Sequence, residues 1–232
     1  MTAAALTRYE LRLLGRSGLA TPVAVLGIFG AFAGLSWFLG AGGETLARLL
    51  VAAVEIGLPL GAGVAAAGIV ADDPVVGLQL ALKTRYRLTV ARRLGLLVLW
   101  CAVLAAASTF VLNLTGLWGL WVPESLLAGQ LVWLSPLLWY AAAGVLPSLL
   151  TGSRAASGAI LGGVWAAGLL FRQVFLLREW SQLLYPFATV FVPGADFWLA
   201  NRGALAASAL ALGALAWALD SDPERLPKGD EG

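Results

Sequence analysis

The chain has 232 residues, of which 60% are hydrophobic and 12% charged, and its mean hydropathy is +0.86. An average globular domain carries about 25% charged residues, so this composition excludes a self-sufficient soluble enzyme and predicts an all-α polytopic membrane protein. The net charge of +2 comes from arginines that lie beside apolar segments, which favours a role in membrane topology over nucleic-acid binding.

The first predicted element is an amphipathic helix that precedes the first apolar stretch. Three arginines at i, i+4 and i+8 share one face of this helix, and apolar residues fall on another face. The arginines are Arg8, Arg12 and Arg16, and the apolar residues are Leu6, Tyr9 and Leu13. Such a helix would lie on the cytoplasmic leaflet with its arginines at lipid phosphates. Alternatively, these arginines act only as an orientation signal.

Six transmembrane helices are predicted where apolar runs are bounded by charge, proline or glycine. They are Thr21–Gly40, Leu46–Ala71, Arg92–Leu114, Ser125–Leu150, Ala155–Phe171 and Gly203–Leu219. Eleven of the 15 lysines and arginines then lie on one side and four on the other. This asymmetry predicts a multi-pass protein of the plasma (inner) membrane with both termini cytoplasmic.

Polar residues inside the predicted spans are candidates for a substrate pathway. Glu55 lies within the second span, where a carboxylate is costly unless it protonates, pairs or faces water. One interpretation is that Glu55 lines a translocation path. The alternative is that it sits near the outer interface, or that it neutralises Arg48 or an arginine of the external loop. Asn113 and Gln130 could line a cavity or simply bond neighbouring backbone.

The connection between Asp72 and Leu88 is the largest on the cytoplasmic side. Asp73 precedes Pro74, which suits an N-cap followed by proline in the first helical turn. A short helix against the membrane or a partner is predicted, and a plain solvated connector is the alternative.

The connection from Arg172 to Arg202 is predicted to be external. It is too apolar for an ordinary loop and too interrupted for one span, which predicts a re-entrant hairpin of two short helices between spans five and six. The break is expected near Pro186 or at Pro193–Gly194. A poorly formed additional span is the alternative. The acidic tail 220–232 is predicted to be disordered and cytoplasmic, which leaves residues 1–219 as a single transmembrane domain.

Taken together, this arrangement resembles the permease subunit of a type-2 ABC exporter. The most specific stretch runs from Asp72 to Arg93, where the family commonly has an acidic pair, a glycine, a leucine-rich half-turn and basic residues. The matching residues are Asp72, Asp73, Gly77, Leu78, Leu80, Leu82, Arg85 and Arg87, followed by Arg92 or Arg93. Arg85 stands where a proline is usual. The resemblance implies that this segment is a coupling helix that docks on an ATPase subunit, with the arginines as membrane-side anchors.

The resemblance also implies partners for this chain. The sequence contains no GxxxxGK[ST] phosphate loop, so ATP and magnesium are expected on a separate ATPase subunit and no cofactor is expected here. One six-span unit would form half of a translocation pathway, completed by a second copy or a sister permease, for export of an amphiphilic substrate.

Two other classes of function remain open at this point. A non-transport assembly or scaffold subunit would not need the pattern from Asp72 to Arg93. An intramembrane enzyme would need converging titratable groups, but histidine is absent and Cys101 is the one cysteine. We therefore expect no catalytic residues and no metal site in this chain.

Overall fold

A computed structural model describes residues 9–10, 15–71 and 86–219 of the chain. Within these ranges every regular element is helical, which confirms the all-α prediction. Five of the described helices are long and apolar enough to cross a membrane, as a multi-pass membrane protein requires.

The helices are numbered here in chain order. They are α1 (Gly15–Phe38), α2 (Gly43–Ala71), α3 (Tyr86–Leu114), α4 (Leu117–Trp121), α5 (Leu126–Gly129), α6 (Leu131–Thr151), α7 (Arg154–Leu170), α8 (Arg172–Leu177), α9 (Glu179–Leu183), α10 (Ala188–Phe191) and α11 (Trp198–Leu219). Helix α2 contains a π-helical turn at Ala53–Gly57, and α5 leads directly into α6.

Each predicted span coincides with a helix, but the bounds and lengths differ. Helix α7, at the position of the fifth predicted span, has 17 residues and is shorter than the five membrane-crossing candidates. Helix α11 begins at Trp198, five residues before the predicted start at Gly203, and therefore includes Arg202. Helix α3 begins at Tyr86 and so includes residues that were assigned to the preceding connection.

Helix α2 is the centre of the bundle. In its most apolar window 78% of the residues are buried, whereas the figure is 22% for α3 and α11. The backbones of α2 and α6 approach so closely that a Cβ added at Gly144 would lie 2.2 Å from the carbonyl oxygen of Gly63. Nearby, the Ser148 hydroxyl donates to the carbonyl of Ala67 at 2.7 Å. Small residues thus place α2 against α6, the helix that also packs on α11.

The glycines of α2 face α1 as well. A Cβ at Gly57 would lie 2.6 Å from the Phe29 ring, and one at Gly61 would lie 3.3 Å from Val25. Gly57 and Gly61 therefore allow α1 to pack closely against α2. The glycines of α7 differ, because no heavy atom of the described residues lies within 4 Å of a Cβ built at Gly158, Gly162 or Gly163. These three glycines therefore make no comparable contact with the described part of the chain.

The connection between α7 and α11 contains three short helices, α8, α9 and α10, instead of the two predicted. The additional break falls at Arg178, whose backbone is extended. Pro186 lies between α9 and α10, and Gly194 follows α10 with a φ of 70°, in the region that favours glycine. Both predicted break points are therefore real turns.

Several predictions concern residues outside the described ranges. These are Arg8 and Arg12, the side chain of Arg16, most of the predicted docking segment (Asp72, Asp73, Gly77, Leu78, Leu80, Leu82 and Arg85) and the tail 220–232. They stay predictions.

Candidate functional site

The π-helical turn of α2 carries Glu55, which is fully buried. A π turn adds a residue to the regular helical repeat and often marks a functional position. Here the turn presents the Glu55 carboxylate to α10, in the connection between α7 and α11. A buried carboxylate of this kind requires several hydrogen-bond donors.

Two of those donors are backbone amides of α10. The Thr189 amide donates to Oε1 of Glu55 at 2.9 Å, and the Val190 amide donates to Oε2 at 2.8 Å. Amides in the first turn of a helix have no partner within that helix. Glu55 therefore caps α10 from a distant part of the chain. It joins the central helix to the connection between α7 and α11, which we call the outer connection because the sequence predicts it to be external.

The third donor is the guanidinium of Arg202, in the first turn of α11. Its Nη2 donates to Glu55 Oε1 and to the Thr189 hydroxyl, the latter at 2.9 Å. Its Nη1 donates to the carbonyls of Val132 and Pro186, each at 3.4 Å. Arg202 is as fully buried as Glu55, so the two charges compensate each other away from water.

Two further residues of α11 attach the connection to the bundle. The Trp198 indole donates to the Thr189 hydroxyl at 2.9 Å. The Asn201 amide group donates to the carbonyls of Gln182 and Tyr185 at 2.6 and 2.8 Å. Buried polar bonds from a single helix turn thus reach α9, α10 and the turn between them. We call the group formed by Glu55, Thr189, Trp198, Asn201 and Arg202 the outer polar cluster.

Hydroxyl groups lie buried near this cluster. Tyr185 stacks on Phe175 with ring centroids 5.7 Å apart and meets Phe187 edge-on at the same distance. Burial, followed by the charge of Glu55, raises the pKa of Tyr185, so its hydroxyl stays protonated. The hydroxyls of Ser135, Tyr140 and Tyr185 have no hydrogen-bond partner among the described residues.

A second buried ion pair lies near the start of α3, where Arg93 is located. Nε of Arg93 donates to Oε2 of Glu10 at 2.8 Å, and the side chains are 2% and 3% exposed. The pair joins the N-terminal segment to the helix that follows the predicted docking segment. Arg87, one of the predicted anchors, places its guanidinium 4.9 Å from the centre of the Trp217 ring.

No family model, no curated protein and no solved structure matches this chain.

The geometry bears on the alternatives for Glu55. Arg48 does not pair with it, because its guanidinium lies over the rings of Trp121 and Phe191 at 5.5 and 5.3 Å. Arg202 occupies that position, which agrees with the interpretation that Glu55 neutralises an arginine of the external connection. A role for Glu55 in a substrate pathway stays a prediction.

The two other pathway candidates lie in different surroundings. Asn113 is exposed near the end of α3. Gln130 is half-buried, and its Oε1 accepts hydrogen bonds from the Trp133 indole at 2.9 Å and the Thr109 hydroxyl at 3.4 Å. Its Nε2 donates to the carbonyl of Leu126 at 2.9 Å. Gln130 therefore links α3 to α6 and bonds neighbouring backbone, as the structural alternative predicted.

Sequence reasoning did not single out Arg202 among the arginines of the predicted external loop, and it missed the amides of Thr189 and Val190 as partners of Glu55. Arg202 was assigned to the external loop because the start of the last helix was placed at Gly203. One signal was present: Glu55 and Arg202 are opposite charges that each adjoin long apolar runs, and such charges pair. No cluster of three or more histidine, cysteine or acidic residues suited to a metal exists in the described ranges.

Proposed function

We propose that this chain is the transmembrane subunit of an ABC exporter. It would form half of a translocation pathway for an amphiphilic substrate, driven by a separate ATPase subunit that docks on residues 72–93. The proposal begins from the family resemblance of that segment.

The observation that carries the proposal furthest is the buried ion pair between Glu10 and Arg93. A docking segment must pass its movement to the bundle, and this pair joins the helix that follows the segment to the N-terminal segment. Because the pair is buried, breaking it costs more than breaking an exposed one. A movement of the docking segment would therefore move α3 and the N-terminal segment together.

Helix α2 provides a second route from the docking segment. It ends at Ala71, directly before Asp72, and holds the outer polar cluster through Glu55. The 16 residues from Glu55 to Ala71 correspond to roughly 24 Å of helix. A rigid central helix of this length would link an inner docking site to the outer connection.

A six-span topology is part of the proposal. Helix α7 would cross the membrane although it has only 17 residues, which brings the number of crossings to six. The short apolar helices α8 to α10 would lie in the outer leaflet as a re-entrant element. Both termini would then be cytoplasmic.

A second copy or a sister permease would complete the pathway. Helix α7 supports this, because its glycines Gly158, Gly162 and Gly163 meet no other described part of the chain and small residues allow close contact between membrane helices.

Copurification with an ATPase subunit tests the proposal. The chain would be coexpressed with any phosphate-loop protein that a neighbouring gene encodes, and copurified protein and ATP hydrolysis would be measured. We expect Asp73→Lys to abolish both, since it reverses a charge in the docking segment. Glu179→Lys is the matched control, because it makes the same change at an exposed position of the outer connection.

Two results would contradict the proposal. The chain could be recovered with no nucleotide-hydrolysing subunit, or both variants could copurify equal amounts of that subunit. A scaffold subunit would then be the better interpretation.

A further inference from the structure

An apolar groove lies between α3, α6 and α11 at the end of the bundle that carries Arg87. Its volume is about 370 Å³. Along α3 it extends from Arg87 to Val98, and along α6 from Leu138 to Leu149. Helix α11 closes the third side with Gly213, Ala216 and Trp217. Apart from its end at Arg87, which lies in the proposed docking range 72–93, the groove takes no part in the sites described above.

The lining and the length of the groove match one leaflet of a bilayer. Eleven residues of α3 separate Arg87 from Val98, which corresponds to roughly 16 Å of helix. The hydrocarbon of one leaflet is about 15 Å thick, half of the bilayer core. The groove therefore runs from the membrane surface to about the bilayer midplane.

The charge at one end of the groove identifies the kind of molecule that would fill it. Among the described residues of the lining, Arg87 is the one that carries a charge, and its guanidinium lies over the ring of Trp217, which also lines the groove. Arginine binds phosphate well, and tryptophan is enriched at the level of lipid headgroups. An apolar channel with this pair at its mouth is complementary to an acyl chain that carries an anionic head.

We propose that this groove binds one acyl chain of an anionic phospholipid, with the headgroup phosphate at Arg87. The lipid would bridge α3, α6 and α11 and fill the space between them. The proposal does not rest on a transport function, since a scaffold subunit could hold the same lipid.

Two glycines of the lining allow a direct test. No heavy atom of the described residues lies within 4 Å of a Cβ built at Gly95 or Gly213, so a leucine at either position would fill the groove without a clash of its Cβ with this part of the chain. Gly203→Leu is the matched control, because Gly203 lies on α11, has the same open space and does not line the groove.

The charge is tested separately. Arg87→Gln removes the guanidinium and Arg87→Lys keeps a positive charge. Arg92→Gln is the control, because Arg92 lies on the same helix, is exposed and does not line the groove.

Each variant would be reconstituted in nanodiscs with equal amounts of phosphatidylglycerol and phosphatidylcholine, and released into mild detergent. Native mass spectrometry would then count the lipids retained. We expect the unchanged protein to retain one phosphatidylglycerol. Because a charge-assisted hydrogen bond to phosphate is lost, Arg87→Gln should lower retention about tenfold. Gly95→Leu and Gly213→Leu should abolish it, and both controls and Arg87→Lys should retain the lipid.

Equal retention by all variants would overturn the proposal. So would retention of phosphatidylcholine and phosphatidylglycerol in equal amounts, because the guanidinium would then select no anionic head. A change in oligomeric state with Gly95→Leu and Gly213→Leu, without a change in bound lipid, would assign the groove to a contact between copies instead.

Discussion

Glu55 and Arg202 lie 147 residues apart in the chain and form a fully buried ion pair that joins the central helix to the outer connection. Glu55 also accepts hydrogen bonds from two amides of α10, and Arg202 also donates a hydrogen bond to the Thr189 hydroxyl. Both carboxylate oxygens of Glu55 and both terminal nitrogens of Arg202 have partners, whereas Nε of Arg202 has none among the described residues. Removing one member therefore leaves the others buried in an apolar interior without a hydrogen-bond or ion-pair partner.

Substituting Glu55→Gln should lower the unfolding free energy by about 3 kcal/mol, because it leaves the Arg202 charge buried without a counter-charge. Thermal melting in detergent would measure the loss. Glu44→Gln is the control, because Glu44 is exposed in the first turn of the same helix. The double variant Glu55→Gln with Arg202→Gln should recover part of the loss. Equal melting temperatures for the unchanged protein and Glu55→Gln would show that the pair contributes nothing to stability.

The same variant separates the structural role of Glu55 from a role in substrate transport. Unchanged transport by Glu55→Gln, at unchanged expression, would remove Glu55 from the substrate pathway.

Thr189→Val should destabilise the chain by about 1–3 kcal/mol, because Trp198 and Arg202 both donate to the hydroxyl that is lost. Thr151→Val is the matched control. Its hydroxyl is exposed and bonds only backbone in its own helix and the next turn, so its loss should be smaller. Thermal melting would compare the two variants, and a loss at Thr189 no greater than at Thr151 would contradict this account of the outer polar cluster.

Gly144→Ala should destabilise the bundle by about 1–3 kcal/mol or more, because its Cβ would meet the backbone of Gly63 at 2.2 Å and force α2 away from α6. Gly158→Ala tests the same change where no atom lies within 4 Å. Melting curves for the two variants should differ clearly. If Gly144→Ala is as stable as Gly158→Ala, α2 and α6 are not in direct backbone contact.

Glu10→Gln and Arg93→Gln should each reduce stimulation of the ATPase partner without preventing its binding, because they break the link between the N-terminal segment and α3 but leave residues 72–85 unchanged. The double variant should be little worse than either single one, since both remove the same interaction. Arg178→Gln, which makes the same change at an exposed position outside residues 72–93, should have no effect. Additive losses would show that the two residues act independently.

Cysteine accessibility should determine whether α7 crosses the membrane. Cys101 is fully buried and is the one cysteine of the sequence. Replacing it by alanine therefore gives a cysteine-free background. In that background a membrane-impermeant maleimide should label Gly119→Cys and Leu177→Cys in intact cells, and Thr151→Cys only after permeabilisation. All three positions are exposed. Labelling of Thr151→Cys in intact cells would reverse the proposed topology of α7.

The main membrane helices were predictable from the sequence because a segment in lipid must satisfy its backbone hydrogen bonds internally. This local requirement appears as a long apolar run, which is why helices coincide with all six predicted positions. The apolar but interrupted character of residues 172–202 was recognised for the same reason. Its division into α8, α9 and α10 was not predicted, because the break at Arg178 carries no proline or glycine.

The partners within the site depended on tertiary structure. Glu55 could be recognised as a charge that needs compensation, but its choice of Arg202 over Arg48 follows from which helix ends meet, and those ends are far apart in the chain. The same holds for the contact of Gly63 with Gly144 and for the groove beside Arg87. By itself the sequence determined where the chain can enter lipid, because that depends on each segment alone; only the packing of the helices decided which buried groups meet.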